Sequence, residues 1–578
     1  MRRTPLIAAA IATVLVVAVG VAVARHHDGK PTAEPSATPG ATTGATTSPS
    51  ATTTPSPASR PSPTPVGPGP RNDEYDVVYA AGVSLYDGAV AAAQAGGEVI
   101  HENAATKVVT VRAGRDFITR ARKDKRIYGA VRNPTLGRPP APEQHRQAAQ
   151  GAGTTRTNTG SDPLSDLQWD MAAIHAPQAR AQEPGDPRVL VAVIDTGVDR
   201  THPDIAKAYD ADLSRNFVTD YPGADGPCEV PSCIDPVGTD DDGHGTHVAG
   251  TIVAAAADGF GMAGVAPGVR LVDLRAGQDS GLFLLMPTVD ALVYAGDIGV
   301  DVANMSYYVD PWLWNCTHGA SDTGEEQYEQ RALIEGVRRA VDYAYRKGVT
   351  LVAAAGNEHE DLDSPAVDVI SPDFPDGAAI RRRIDRTCYV LPTTLPHVVE
   401  VSSVGRDGVK ADYSSYGLAH IAVTAPGGSA ALANGSGPDA QYGTLSAWPA
   451  ALAREDGSVD SQGRPHTPYV VRYCRNKQCA YYRYLTGTSM ASPHAVGVAA
   501  LIISKFGVPD PTHPGTLRMD PAAVVAKLKG TATAKPCPSP ATQRYPVRPP
   551  EYAATCRGTM AHNSFYGDGL VDALAALR

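Results

Sequence analysis

Three short segments carry side chains that could do chemistry together. Val191-Ala192-Val193-Ile194-Asp195-Thr196-Gly197 is an apolar run that stops at an aspartate. Such a run reads as a buried strand, and it leaves a carboxylate at the strand's C-terminal end, the edge of an open α/β sheet where ligands bind. Taken alone, Asp195 reads more readily as a cap on the following turn. Asp242-Gly243-His244-Gly245-Thr246-His247 sets a histidine at the start of a helix among small residues, where glycines let another backbone come close. His244 and His247 stand three apart and could share a metal, but the H-E-x-x-H pattern is absent, so His247 reads as a packed histidine beside the site. Leu485-Thr486-Gly487-Thr488-Ser489-Met490-Ala491-Ser492 opens an apolar helix that runs to Phe506. A serine there is ordinarily a cap. Around Ser489, however, the small residues leave the hydroxyl accessible, and a helix N-terminus offers free N–H groups to a developing oxyanion. Ser492 reads as a capping or packing residue.

A serine hydroxyl is too weak an acid to attack a carbonyl unaided; it needs a base, and the base needs a fixed tautomer. In the order Asp…His…Ser, the three segments resemble the subtilase family of serine peptidases, over roughly residues 166–578. The resemblance implies that Ser489 is the nucleophile, that His244 takes and returns its proton, and that Asp195 orients the imidazole. Val349-Thr350-Leu351-Val352-Ala353-Ala354-Ala355-Gly356-Asn357 looks like the family segment that supplies an oxyanion asparagine, Asn357. An α/β-hydrolase esterase is a poorer match. Gly487-Thr488-Ser489-Met490-Ala491 lacks the second glycine of G-x-S-x-G, and the order of the three residues is wrong. An inactive peptide-binding relative is disfavoured because the full set of residues is present.

The resemblance extends to further positions. Asp301-Val302-Ala303-Asn304-Met305-Ser306 is similar to the strand that pairs with substrate backbone, which implies Ser306, Tyr307 and Gly281 as substrate-binding residues. Tyr307-Tyr308 stands where the family has small residues, which singles out the pocket for the residue before the cut. His202-Pro203-Asp204 resembles a calcium-binding segment, with Asp258 as a second ligand. No cofactor is needed for the chemistry; calcium would be structural. Ala425-Pro426-Gly427 and Tyr566-Gly567-Asp568-Gly569 resemble other landmarks, whereas 307–330 and 428–484 look like surface insertions.

The elements that must position these residues alternate. Strands are expected at 188–194, 269–274, 301–305, 349–354 and 398–401, and helices at 244–257, 286–298, 327–347 and 488–506. The expected fold class is α/β, a three-layer domain with a mostly parallel sheet, preceded by a small α+β unit. That unit, residues 74–133, reads as strand, helix, two strands and helix, and is similar to the inhibitor-type propeptide of these enzymes. Residues 134–165 read as the linker cut on activation, and 166–578 as the catalytic domain.

Ahead of these lie residues 1–24, with Arg2 and Arg3 before an uncharged run from Leu6 to Ala24, which reads as a signal peptide or signal-anchor. Residues 25–73 are a Pro/Thr/Ser-rich spacer without the apolar content to fold. Export agrees with eight cysteines, read as disulfides rather than zinc ligands. Close neighbours suggest Cys228–Cys233, Cys474–Cys479 and Cys537–Cys556, leaving Cys316–Cys388. Residues 1–150 carry 17 basic and 11 acidic side chains, while 151–578 carry 34 and 50. A net charge of −10 disfavours nucleic acid as a partner. The expected partners are protein or peptide substrates and the chain's own propeptide, acting on a secreted monomer. A membrane enters only through the N-terminal segment. A membrane-tethered processing enzyme with one dedicated substrate is the alternative.

Overall fold

The computed structural model describes residues 74–133, 154–156, 162–374, 377–429 and 439–578, all within one compact unit, Pro65–Arg578. The signal segment, the spacer and most of the 134–165 linker lie outside the described residues.

The first elements are β1 (Glu74–Tyr79), α1 (Leu85–Gln94), β2 (Gly97–Asn103), β3 (Val108–Ala113), α2 (Phe117–Ala121) and β4 (Ile127–Arg132). They form an antiparallel sheet in the order β2-β3-β1-β4. The fourth strand is absent from the sequence reading; Gly129 and the charged ends of this short stretch blur its alternation. A further strand, β5 (Thr154–Arg156), follows.

The main sheet is built from β6 (Leu190–Asp195), β7 (Arg215–Asn216), β8 (Arg270–Arg275), β9 (Val302–Met305), β10 (Thr350–Ala354), β11 (Val398–Val404) and β12 (Ile421–Pro426). Its order is β12-β11-β10-β9-β6-β8-β7 and every pairing is parallel. The principal helices are α3 (His244–Val253), α4 (Leu285–Ile298), α5 (Gly324–Lys347) and α6 (Thr488–Phe506). Alternation along β6 divides the core. Val191 and Val193 face α3 and α6, and Leu190, Ala192 and Ile194 face α4 and α5. With both faces covered, the strands are continuously apolar, as a parallel sheet requires. The three-layer α/β expectation therefore holds. The α6 helix is long and apolar enough to cross a membrane by composition, but it is buried within one of these layers.

Two boundaries differ from expectation. The α3 helix stops at Val253, because Ala254 turns extended and the Ala255 N–H is taken by the Asp204 carbonyl, 2.8 Å away. The α5 helix begins before residue 327, on a capping box of Thr323 and Glu326.

Two other stretches read as surface proved to be structural. Trp312 and Trp314 within 307–330 are buried. In 428–484, β13 (Thr444–Trp448), β14 (Val470–Arg475) and β15 (Gln478–Leu485) form a sheet around the buried Tyr473 and Tyr482. The end of the 134–165 linker also belongs here. Strand β5 pairs in parallel with β14, and Leu164 is buried in the same cluster. All eight cysteines are paired, as Cys228–Cys233, Cys316–Cys388, Cys474–Cys479 and Cys537–Cys556.

Candidate active site

Strands β6, β9 and β10 are neighbours, so Asp195, Ser306 and Asn357 emerge at or just beyond adjacent C-terminal strand ends. Asp195 is buried and accepts the Thr196 N–H at 2.9 Å. His244 Nδ1 lies 2.7 Å from Asp195 Oδ1. The carboxylate can only accept, so Nδ1 carries the proton and Nε2 is left as the basic nitrogen. Their approach depends on Gly245, since a Cβ there would lie 2.0 Å from the Gly197 carbonyl oxygen. Asp240 fixes the corner. It accepts the Thr196 hydroxyl at 3.0 Å and the Thr246 N–H at 2.8 Å. Burial lowers the basicity of His244, but the charge and hydrogen bond of Asp195, with the charges of Asp242 and Asp240, outweigh it and raise the imidazole to about 9.

Ser489 is the second residue of α6. Its hydroxyl donates to the Ser306 carbonyl at 3.2 Å, and the Ser306 hydroxyl donates to the Ser489 carbonyl at 3.1 Å. Ser492 reinforces the joint by donating to Asn304 Oδ1 at 2.7 Å, which accounts for its packing role. The start of the helix rests against the chain just past β12, where Gly487 N–H donates to the Gly427 carbonyl at 3.0 Å. A side chain on Gly427 would meet the Gly487 carbonyl at 2.4 Å.

The side-chain oxygen of Asn357 accepts both the N–H and the hydroxyl of Thr488, each at 2.9 Å. These two donors fix the orientation of the amide. Its Nδ2 makes no hydrogen bond to a described residue and remains a donor beside Ser489. Thr488, which orients the Asn357 amide, carried one signal in the sequence, a hydroxyl adjoining the serine.

The remaining predicted positions scatter. Ser306 is at the site. Tyr307 is buried and stacks on Phe283 with ring centroids 4.0 Å apart, so its side chain lies in the core, while Tyr308 stays half-buried. Gly281 sits in the loop after β8, at φ +82°. His247 is buried, with Nε2 3.0 Å from the Arg483 carbonyl, in keeping with a packed histidine. Asp204 is buried; its Oδ2 accepts the Met262 N–H at 3.0 Å and the Tyr482 hydroxyl at 2.9 Å, and its Oδ1 is buried without a partner. Burial, with the nearby charges of Asp258 and Asp162, raises the Asp204 carboxyl to about 7. The orphaned, buried Asp204 oxygen could take a cation, while Asp258 is exposed and its Oδ1 accepts the Phe260 N–H at 2.8 Å. A separate group, Asp220, Glu229, Asp235 and Asp279, brings ligand atoms within 4.8 Å of one another, but Arg275 already supplies a cation there.

Known proteins resemble this chain in both sequence and fold. It is 30% identical over 320 residues to a thermophilic serine proteinase of Bacillus sp. (strain AK1), covering 54% of this chain and 52% of that protein. It is 28% identical over 378 residues to fervidolysin of Fervidobacterium pennivorans, covering 64% of this chain and 42% of that protein. The chain thus spans about half the length of these relatives. A crystal structure of an epidermin leader peptide processing serine protease from Staphylococcus aureus superposes with a TM-score of 0.59 at 21% identity, over 87% of this chain and 97% of that one. That likeness concerns the fold. A sequence model described as the subtilase family matches residues 186–563, well over half of the chain. The chain belongs to the subtilase family.

Proposed function

We propose that the chain is a serine endopeptidase that cleaves proteins or peptides through an acyl-enzyme on Ser489. The observation that carries this reading is the Asp195–His244 contact at 2.7 Å on the same sheet edge as Ser489 and the oriented amide of Asn357. His244 Nε2 removes the Ser489 proton as Oγ attacks the carbonyl carbon. Asn357 Nδ2 and the Ser489 N–H receive the oxyanion, and Asp195 stabilises the imidazolium. Collapse expels the amine, protonated by His244, and leaves an ester on Ser489. Water, deprotonated by His244, then hydrolyses the ester. The wild type should label with a fluorophosphonate and digest casein. Ser489→Ala should lose labelling and drop about a million-fold in kcat. Digestion that survives the substitution refutes the assignment.

Residues 74–133 act as the inhibitor-type propeptide of a secreted zymogen. Their sheet packs on α4 and α5, with Gly129 against Ala332. The activating cut falls within 134–165; the pairing of β5 with β14 favours the part before Thr154. N-terminal sequencing of the active secreted enzyme tests this; a chain still beginning before residue 134 refutes it. Calcium held by Asp204 and Asp258 stabilises the loop after α3. Chelation should lower Tm by a few degrees, restored by added calcium.

A further inference from the structure

A proline inside a helix has no N–H for the carbonyl four residues back. Pro493 lies inside α6, and the residue four back is Ser489. The Ser489 carbonyl is instead served from outside the helix, by the Ser306 hydroxyl at 3.1 Å. The next carbonyl, that of Met490, also meets a side chain: His494 Nδ1 lies 2.8 Å from it. The Met490 N–H donates to the Gly487 carbonyl at 3.1 Å. The residue that follows the nucleophile is therefore held at both its N–H and its carbonyl.

His494 is wholly buried, and its second ring nitrogen faces a carboxylate. Nε2 is 3.0 Å from Oδ2 of Asp170, which is 1% exposed and lies 324 residues earlier in the short helix Trp169–Ala173. A carbonyl oxygen and a carboxylate can each only accept. With an acceptor on either side, both ring nitrogens carry protons, and His494 is an imidazolium. A bare cation in the core would be costly, and Asp170 neutralises it. Among the described residues Asp170 forms no other ion pair; Arg180, whose charge bears on it, donates instead to the Gly264 carbonyl at 2.8 Å. The helix that carries Asp170 is itself fixed. Trp169 Nε1 donates to the Gly443 carbonyl at 2.8 Å, and the Gln168 amide exchanges hydrogen bonds with Ala263 at 3.0 and 3.1 Å.

We propose that His494 is a positioning residue for Ser489: an imidazolium, locked by Asp170, that fixes the Met490 carbonyl and through it the turn presenting the Ser489 hydroxyl and N–H. The inference rests on the peptidase reading above. Buried in the core, His494 acts only through Met490. A misplacement of about 1 Å at a reacting group costs about 100-fold in rate, so loosening this anchor reduces kcat and leaves substrate binding largely intact.

The test uses the processed enzyme, with rates expressed per site titrated by a fluorophosphonate. In the wild type, nitrogen NMR should show both ring nitrogens of His494 protonated at neutral pH, the signals being assigned by their loss in His494→Gln. His494→Gln should lower kcat about 30-fold with KM changed less than about twofold. Asp170→Asn is the conservative rescue. Its amide N–H can donate to a neutral Nε2, the ring keeps its Nδ1 proton on Met490, and kcat should stay within about threefold of wild type. Asp170→Ala removes that partner and should fall as His494→Gln does. A merely structural role would lower Tm and yield but leave kcat per titrated site unchanged. That result in His494→Gln, or an unprotonated Nε2 in the wild type, overturns the proposal while labelling and casein digestion still support a peptidase. If the variants do not fold, the wild-type spectrum decides alone. Absence of labelling in the wild type overturns both readings.

Discussion

The C-terminal edge of the seven-stranded sheet and the outer face of α4 and α5 both join distant parts of the chain, by different means. At the edge, backbones meet. Gly245 lies against the Gly197 carbonyl and Gly427 against the Gly487 carbonyl, at separations no side chain would permit. On the outer face there is one such approach, Gly129 against Ala332, and polar side chains do much of the rest of the joining. Asp290 is paired with His101 at 2.6 Å and accepts from Asn103 at 2.8 Å. Arg339 donates to the Thr106 and Tyr79 carbonyls, each at 2.9 Å, and Asp76 accepts the Met286 N–H at 3.2 Å. Backbone contact fixes positions within a fraction of an ångström, as pre-organised catalysis requires. Polar side-chain contacts can be exchanged for water, as suits a segment proposed to be released.

The strongest way to test this contrast is at the edge. Asn357→Ala removes one fixed donor and should reduce kcat by about 100- to 1000-fold with KM little changed. An equal change in KM would mean that Asn357 serves ground-state binding instead. At the outer face a single contact should matter less. Asp290→Ala should weaken the hold of the cleaved 74–133 segment about tenfold, seen as a shorter lag before activity appears. An unchanged lag would place the inhibitory grip elsewhere.

The smallest effect is electrostatic. His244 is raised from 6.5 to about 9, and only the neutral imidazole can act as a base. The acid limb of kcat/KM should therefore have a midpoint above 6.5, toward 9. The corresponding stability has the opposite sense: it is fully present below 6.5 and is lost as pH rises through the folded value. Asp242→Asn removes one of the charges that raise His244, and should move the midpoint down by less than about one pH unit. A midpoint that does not move would assign the shift to Asp195 and Asp240 alone.

How much of this was legible beforehand depends on the residue. The core strands were, because a strand buried on both faces must be apolar throughout, as Leu190–Ile194 is. The placement of Asp195, His244, Ser489 and Asn357 at element ends was legible too, because each follows or opens such an element within a motif of small residues. The cysteine pairs were, since three of them join near neighbours. Other features were not. Tyr307 and Tyr308 are consecutive letters, yet one packs on Phe283 in the core and the other meets Asp373, 65 residues away. The stretches 307–330 and 428–484 read as surface because part of what buries them, such as Cys388 for Cys316 and Leu164, Phe260 and Met262 for the 444–485 sheet, comes from elsewhere in the chain. Thr488 gave no sign that it orients Asn357, 131 residues earlier.

The sequence by itself determined which elements form and which residue types stand at their ends, because those follow from local periodicity and the chemistry of each side chain. Only the tertiary structure decided which way a side chain faces, which amide is held in a fixed orientation, and which buried carboxyls have an arginine beside them. Those outcomes depend on distances between segments far apart in the chain, which spacing along it does not specify.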